Sequence, residues 1–193
     1  MKHTSGTLKA VVLLLVLILL SAPSKGLLLA DTFTDSRIQV GLKLFRTLVS
    51  ADLNIVDKTN NDRELPIILV YVSNSSEAHD FLQTLQASFK SVKDIQVRID
   101  VQALSQLVQN TDRKPAAIFI TQPLNEAELT ALVKYSIEQH IILFSPFEGD
   151  VEKGVLGGLS VQATVRPLIN MRTLRSSRIQ IKPFYLKVAR QYE

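Results

Sequence analysis

The chain has 193 residues, of which 46% are hydrophobic and 21% charged, as is typical of one globular domain. This composition excludes an intrinsically disordered chain, which needs low hydrophobicity and a high net charge. The absence of cysteine excludes a disulfide framework, a thiolate nucleophile and a cysteine-based metal site.

The formal net charge of +4 comes mostly from the start of the chain. Without Lys2, Lys9 and Lys25, 19 basic side chains remain against 18 acidic ones. A chain so nearly neutral has no general electrostatic attraction for phosphate backbones, and we predict no nucleic-acid partner.

The first residues have the pattern of a secretory signal peptide. Lysines precede an unbroken apolar run at residues 10–20, and small residues follow it. This run is short for a permanent anchor, because a spanning helix needs roughly 20 apolar residues. We therefore predict a signal peptide over residues 1–26, cleaved between Ser24 and Ala30, and an exported domain over residues 27–193. The alternative is an uncleaved anchor.

The rest of the chain alternates between helix and strand patterns. Apolar residues at three- and four-residue spacing predict an amphipathic helix over residues 35–54. A nearly continuous apolar, β-branched run at residues 66–73 is typical of a strand covered on both faces. Asn74 comes next, with Glu77 three residues on, which is the pattern of a capped helix start.

The alternation continues through the middle of the chain. Apolar and polar residues alternate over residues 95–101, which predicts a strand, and a short helix follows at 103–108. An apolar strand is predicted at residues 116–121. Asn125 repeats the helix-cap pattern, and a fourth strand follows that helix at residues 141–145.

The tail has a different pattern. Residues 154–158, with three glycines, are predicted to be flexible, and alternation over residues 159–165 predicts a fifth strand, antiparallel at an edge of the sheet. A helix is predicted at residues 170–177. Pro183 suits the first turn of a last helix, which runs through Ala189.

Strands that alternate with helices build a parallel sheet with right-handed crossovers. The sequence therefore predicts a single α/β domain, with a mostly parallel sheet of four to five strands flanked by helices on both faces.

No pattern in the sequence indicates catalysis. The nucleophile elbow, the phosphate-binding loop and the dinucleotide fingerprint are all missing from it. His79 and His140 are isolated, and a histidine at a helix end is favoured by the helix dipole alone. We predict that the protein is not an enzyme and that it uses neither a cofactor nor a metal.

Polar side chains follow the predicted strands at the points where the strands end. Ligands of open α/β sheets bind in the crevice beyond the carboxyl ends of the strands, and short polar side chains beside helix starts suit a small anion or polar ligand. The alternative is that these side chains are only caps and turns. The candidate crevice residues are Ser73, Asn74, Ser75, Thr121, Gln122 and Ser145.

The end of the chain is strongly basic. From Ala163 onward there are seven basic side chains and one acidic side chain, Glu193. Such a segment is either a solvated helix face or a patch that meets an acidic partner or an anionic membrane surface. Aromatic residues and arginine are enriched at interface hot spots. The candidate partner-binding residues are Arg175, Arg178, Lys182, Tyr185 and Lys187.

Three tail segments, residues 157–161, 165–170 and 179–189, resemble the end of the YfiR-like periplasmic proteins. They supply a glycine-containing strand, an asparagine before a short helix, and a last apolar helix. The resemblance implies a periplasmic regulator that binds and modulates an inner-membrane signalling protein. The partner would be the periplasmic domain of a membrane-anchored sensor or diguanylate cyclase. The resemblance also implies that Asn170 is a turn residue that determines the fold.

The second hypothesis is a small-molecule binding module that resembles one lobe of an ABC-type solute-binding protein. The strand order and the polar strand ends suit such a module. Because these proteins close two lobes over a ligand, a chain of this length would need a partner lobe or a second copy, and a homo-oligomer is one expected assembly.

Overall fold

The computed structural model describes residues 25–109 and 114–193, with side chains from residue 36 onward. Residues 37–193 form one compact unit, which is the unit described below. The apolar run of the predicted signal peptide lies outside the described residues. Within the described part, no helix is long and apolar enough to cross a membrane.

The helices and strands follow the predicted order. The helices are α1 (Lys25–Ala51), α2 (Ser75–Ser88), α3 (Leu104–Gln109), α4 (Glu126–Glu138), α5 (Met171–Ser177) and α6 (Pro183–Val188). A 3₁₀ turn lies at Ile55–Lys58. The strands are β1 (Leu65–Tyr71), β2 (Ser91–Val92), β3 (Ile95–Ala103), β4 (Ala117–Ile120), β5 (Ile142–Phe144), β6 (Gly157–Val161), β7 (Val165–Asn170) and β8 (Arg190–Tyr192).

The strands form one sheet in the order β2-β3-β1-β4-β5-β6-β7-β8. Strands β3, β1, β4, β5 and β6 are parallel, and β2 and β7 are antiparallel to their neighbours β3 and β6. β8 then runs parallel to β7. The predicted mixed α/β class and mostly parallel sheet are confirmed, but the described sheet has eight strands instead of the four to five predicted.

The strands that the sequence did not predict are either very short or contain a proline. β2 has two residues and β8 has three, which is too few for a periodic pattern to show. The segment predicted as one strand over residues 159–165 is a hairpin, in which β6 ends at Val161 and β7 begins at Val165. Pro167 lies within β7, and a proline in a sequence argues against a strand. The pairing of β7 with β8 starts opposite Leu168, so the missing N–H of Pro167 has no partner strand on that side.

Period-two alternation along the central strands divides the core between the two faces of the sheet. Leu65, Ile67 and Leu69 of β1 belong to the cluster that packs under α1 and α2. Ile68 and Val70 belong to the cluster on the other face, under α3 and α4. Each central strand is therefore apolar on both sides, as the continuous apolar runs predicted.

Three phenylalanines join α1 to the sheet. Phe45 of α1 meets Phe119 of β4 and Phe144 of β5 edge-on, with ring centroids 5.4 and 5.8 Å away. Phe119 and Phe144 stack on each other at 5.6 Å. All three side chains are fully buried, and such pairs contribute about 0.5–1.5 kcal/mol each beyond the area that they bury.

The glycine-rich segment is rigid where flexibility was predicted, since Gly157 and Gly158 lie in β6 and are buried. A Cβ atom on Gly157 would lie 2.5 Å from Cδ2 of Leu48 in α1. A Cβ atom on Gly158 would lie 2.6 Å from Cγ2 of Val151 and 2.9 Å from the carbonyl oxygen of Ser145. These glycines let the chain pack closely on both faces of the strand.

Asn170, the last residue of β7, ties two segments together. Its side chain is buried, accepts a hydrogen bond from the Thr173 amide at 2.9 Å, and so caps α5. Its Nδ2 donates to the Val151 carbonyl at 2.7 Å. The backbone N–H of Asn170 donates to Leu156 at 2.9 Å. One side chain thus holds α5 against the loop that precedes β6.

We predict that Gly158→Ala lowers the free energy of unfolding by about 1–3 kcal/mol, because the added methyl overlaps a main-chain oxygen that cannot move freely. This loss exceeds the fraction of a kcal/mol that alanine gains by restricting the unfolded chain. Urea unfolding measures the difference. Ser160→Ala on the same strand is the control and should stay within about 0.5 kcal/mol of the parent. A Gly158→Ala protein as stable as the parent would contradict this account of the strand.

Candidate functional site

The strand order creates a topological switch point between β1 and β4. From β1 the chain crosses to β3 on one side, and it then returns to β4 on the other side. Ligands of open α/β sheets bind at such a point, beyond the carboxyl ends of the two strands. Ser73 and Asn74 follow β1 there, and Thr121 and Gln122 follow β4.

The side chain of Gln122 fills this switch point. Its Oε1 accepts hydrogen bonds from the amides of Val72, Ser73 and Asn74 at 3.3, 3.1 and 3.3 Å. Its Nε2 donates to the Asn74 carbonyl. These three backbone amides at the end of β1 are therefore already bonded within the chain. Thr121 is also internally satisfied, because its hydroxyl donates to the Val70 carbonyl at 2.8 Å.

The other candidate crevice residues also have structural roles. Asn74 caps α2 by accepting from the Glu77 amide at 3.2 Å. Ser75 is exposed, and its carbonyl lies 2.7 Å from Nδ1 of His79. The structure thus brings Ser73, Asn74 and Gln122 together, and it does so through capping and turn contacts.

Ser145 belongs to a separate cluster at the carboxyl end of β5. Its buried hydroxyl donates to Oδ2 of Asp150 at 2.5 Å and accepts from the Phe147 amide at 3.1 Å. Burial raises the pKa of the Asp150 carboxyl, and nearby Glu152 raises it further. The hydrogen bond from Ser145 and the charge of Lys153 oppose that shift of the pKa. These contacts fix the loop that leads to β6.

The candidate partner-binding residues are divided between three places. Arg175 pairs with Glu193 at 3.1 Å, and Arg178 ends α5 in the left-handed conformation. Lys187 is exposed on α6. Tyr185 lies in the core beneath α6, and burial raises the pKa of its hydroxyl although a contact with Thr47 lowers it.

The neighbour of Tyr185 is the exposed aromatic residue of this segment. Phe184 has 77% of its surface exposed, whereas Tyr185 has 6%. The two side chains leave the first turn of α6 in different directions, so an interaction surface at this helix would use Phe184. Where two aromatic residues are adjacent, the sequence does not indicate which of them is buried.

A concave surface joins α1 to α6, and we call it the basic groove. Its volume is about 520 Å³. The α1 side is formed by Lys43, Arg46, Thr47, Ser50 and Ala51, the α6 side by Lys182, Phe184 and Tyr185, and the segment between α2 and β3 supplies Ser88, Phe89 and Ser91. Two of the predicted partner-binding residues, Lys182 and Tyr185, therefore line it.

The basic groove lies away from the predicted crevice. Phe89 and Ser91 precede β3, so they lie at the end of the sheet where the parallel strands begin. The predicted crevice lies at the opposite end, where these strands finish. The carboxyl ends are the usual ligand position of such sheets, so the strand pattern of the sequence did not point to this end.

The cations of the basic groove are unpaired within the described residues. Lys43, Arg46 and Lys182 form no ion pair there, and none of the described lining residues is acidic. The guanidinium carbon of Arg46 lies 5.7 Å from the centroid of the buried Phe89 ring. The arrangement can receive an anionic group next to aromatic surface.

A larger depression, of about 730 Å³, is lined by residues near the start of β1 and by parts of β3. Its arginine, Arg98, is already paired with Asp100 at 3.1 Å and lies 3.9 Å from Glu64. Burial lowers the pKa of Lys114 at its rim, as does the charge of Lys58. Lys114 directly follows residues 110–113 in the sequence, which the structure does not describe. In the described chain, no group of three histidine, aspartate or glutamate side chains could hold a metal ion.

Comparison with known proteins gives a likeness of fold. No protein-family model and no curated protein sequence matches the chain. A conserved domain protein from Vibrio cholerae O1 biovar El Tor has a TM-score of 0.52 at 13% identity, over 71% of this chain and 57% of that one. A substrate binding protein with adhesive properties from Clostridium difficile, in its ligand-free, open structure, has a TM-score of 0.51 at 14% identity, over 79% and 58%.

The ABC domain from Streptococcus pneumonia, in complex with L-Trp, has a TM-score of 0.47 at 16% identity, over 74% of this chain and 61% of that one. The chain spans less than two thirds of the length of each of the three structures. At these identities the likeness to the first two structures is one of fold, and it agrees with the α/β sheet described above.

We expect Gln122→Ala to destabilise the domain by about 1–3 kcal/mol, because three backbone amides at the end of β1 lose their acceptor. Thermal or urea unfolding measures the loss. Gln86→Ala is the matched control, since Gln86 is exposed on α2 and should tolerate the change within about 0.5 kcal/mol. Equal stability of the two variants would mean that Gln122 does not hold the switch point closed.

Proposed function

We propose that this chain is a non-enzymatic binding module, built on the fold of one lobe of a solute-binding protein, and that it binds a small molecule in the basic groove. The observation that carries the proposal is the groove itself. It is concave, it combines aromatic walls with unpaired cations, and its volume falls within the range of about 300–1,000 Å³ typical of ligand sites.

The closed switch point supports this choice of site over the predicted crevice. Gln122 already satisfies the amides at the end of β1, so a ligand there would have to replace bonds that the chain makes with itself. The basic groove has the opposite property, because its cations have no acidic partner within the described residues.

Because of its position, the groove can bind a ligand without a second lobe. A solute-binding protein closes two lobes over its ligand, and this chain has the length of one. The basic groove is formed entirely within residues 37–193, which are one compact unit. A module that binds in this groove needs no second lobe.

The proposal predicts that small-molecule fragments bind in the basic groove. Nuclear magnetic resonance of the ¹⁵N-labelled protein, titrated with a mixed library of neutral, cationic and anionic fragments, should shift the amide signals of Ser50, Ser91 and Lys182. Ser91→Trp should abolish these shifts, because the indole occupies the exposed edge of the groove.

Ser105→Trp is the control, since Ser105 is an exposed serine on α3, which covers the other face of the sheet. Binding that survives Ser91→Trp, or shifts confined to Ser73 and Asn74, would contradict the groove as the ligand site.

A second candidate function is favoured by the exposure of Phe184. A phenylalanine with 77% of its surface exposed, close to the exposed Lys187, has the composition of an interface hot spot. Together with the resemblance of the tail to YfiR-like proteins, this supports an exported regulator in the periplasm. Its partner would be a membrane-anchored sensor or diguanylate cyclase.

For this second function we predict that a photo-reactive benzoylphenylalanine at position 184 cross-links to an inner-membrane protein in intact cells. The same group at Val56, which is 52% exposed in the 3₁₀ turn, is the control and should give no such product. A protein that is exported and folded but yields no membrane cross-link from position 184 would count against the regulator.

A further inference from the structure

Arg46 is the central group of the basic groove. Its Nε atom is buried and has no hydrogen-bond partner among the described residues. A buried donor without a partner costs about 1–3 kcal/mol, and more when it is charged. The Arg46 side chain also lines the groove, and carboxylate or phosphate oxygens match the geometry of guanidinium donors.

The hydroxyl groups beside Arg46 do not compete for the same ligand. Ser50 donates its proton to the Arg46 carbonyl at 2.8 Å, and Thr47 donates to the Leu44 carbonyl at 2.7 Å. Ser88 donates to the Thr84 carbonyl at 3.2 Å. Because these protons are engaged by helix carbonyls, the cations are the strongest donors that remain, although Tyr185 also lines the groove with a hydroxyl that has no hydrogen-bond partner among the described residues. Hydrogen bonds from a charged donor are stronger than neutral ones, so the groove favours a charged oxygen.

The other charged side chains around the groove also favour an anionic ligand. Lys43 reaches it from α1, and Lys182 reaches it from the residue before α6. The two lysines and Arg46 give the groove three positive charges with no acidic side chain among its described lining residues. Such a concentration of one sign in a concave surface raises the local concentration of anions.

The aromatic residues supply the other half of the site. The rings of Phe89 and Tyr185 are nearly buried and lie beside the cations, and Phe184 extends from the rim. An inorganic anion would neutralise the charges and leave the exposed ring of Phe184 in contact with water. A ligand with an apolar body would also cover it, at about 25 cal/mol for each Å² removed from water.

We infer that the basic groove selects an amphipathic anion, a small molecule in which a phosphate or carboxylate group is attached to an apolar ring. The anionic group bonds to Arg46, with Lys43 and Lys182 beside it, and the ring lies against Phe184, the exposed aromatic side chain of the groove. This inference rests on the proposed binding function and adds the chemical class of the ligand.

The test compares three probes that separate charge from apolar surface. Phenyl phosphate carries both features, inorganic phosphate carries only the charge, and benzyl alcohol carries only the ring. Titrations followed by nuclear magnetic resonance should give phenyl phosphate a dissociation constant at least tenfold lower than that of either other probe.

Arg46→Gln should raise the dissociation constant of phenyl phosphate about tenfold, which corresponds to about 1.4 kcal/mol. Lys134→Gln, which removes one exposed cation from α4 on the other face of the sheet, is the matched control and should change it less than twofold. Lys182→Gln, which changes an exposed side chain at the groove, should also weaken binding and is read in the same way if Arg46→Gln does not fold.

The outcomes of these titrations test the ligand class separately from the binding function. Neutral fragments that bind the groove more tightly than phenyl phosphate would overturn the inferred ligand class and leave the binding function standing. Equal affinities of the parent protein, Arg46→Gln and Lys182→Gln for phenyl phosphate would also overturn it. A folded protein whose groove binds no probe and no fragment would overturn the inference together with the function on which it rests.

Discussion

The packing of α1 against the sheet is the constraint on which the rest of the structure depends. Phe45 meets Phe119 and Phe144 at the centre of the sheet, and Leu48 approaches Gly157 so closely that a Cβ atom there would lie 2.5 Å away. These contacts fix both the distance and the rotation of the helix. A rotation about the helix axis would move every side chain on its outer face, including those that line the basic groove.

A second set of contacts brings the tail to the end of the same helix. The Leu53 amide donates to the Gln180 carbonyl at 2.8 Å, and the Lys182 amide donates to the Ala51 carbonyl at 2.9 Å. Asp52, between these partners, is fully buried and pairs with Lys58 at 2.7 Å. A buried carboxylate that lost this lysine would be strongly destabilising, so the pair fixes the 3₁₀ turn at the end of α1. The two main-chain hydrogen bonds place Lys182 at the groove.

The fold was largely predictable because its central strands are apolar on both faces and its helices are capped. The Asn125 cap is a full capping box in the structure, with the Glu128 side chain accepting from the Asn125 amide at 2.9 Å. The edge elements were not predictable, since two- and three-residue strands have no period. The glycines of β6 gave the signal of a flexible loop, because a sequence does not reveal which side chains from distant segments will pack against them.

The site was predictable only in part, and the reason is geometric. Lys182 and Tyr185 were identified as binding candidates from the composition of the tail, and both line the groove. Arg46 and Lys43 were not, because polar residues on the outer face of an amphipathic helix normally meet only solvent. What distinguishes them is the approach of α6 and of the segment after α2, which depends on contacts far apart in the sequence.

The switch point and the basic groove differ in whether the chain satisfies its own hydrogen-bond donors there. The usual ligand position of an open α/β sheet owes its anion affinity to free amides beyond the strand ends. In this chain Gln122 bonds to three of those amides from within, which stabilises the end of β1 without a ligand. Arg46 has no such internal partner among the described residues. In this chain the unsatisfied charged donor therefore lies on the face of α1 and not at the end of the sheet. A ligand is expected where a charged donor of the chain has no hydrogen-bond partner.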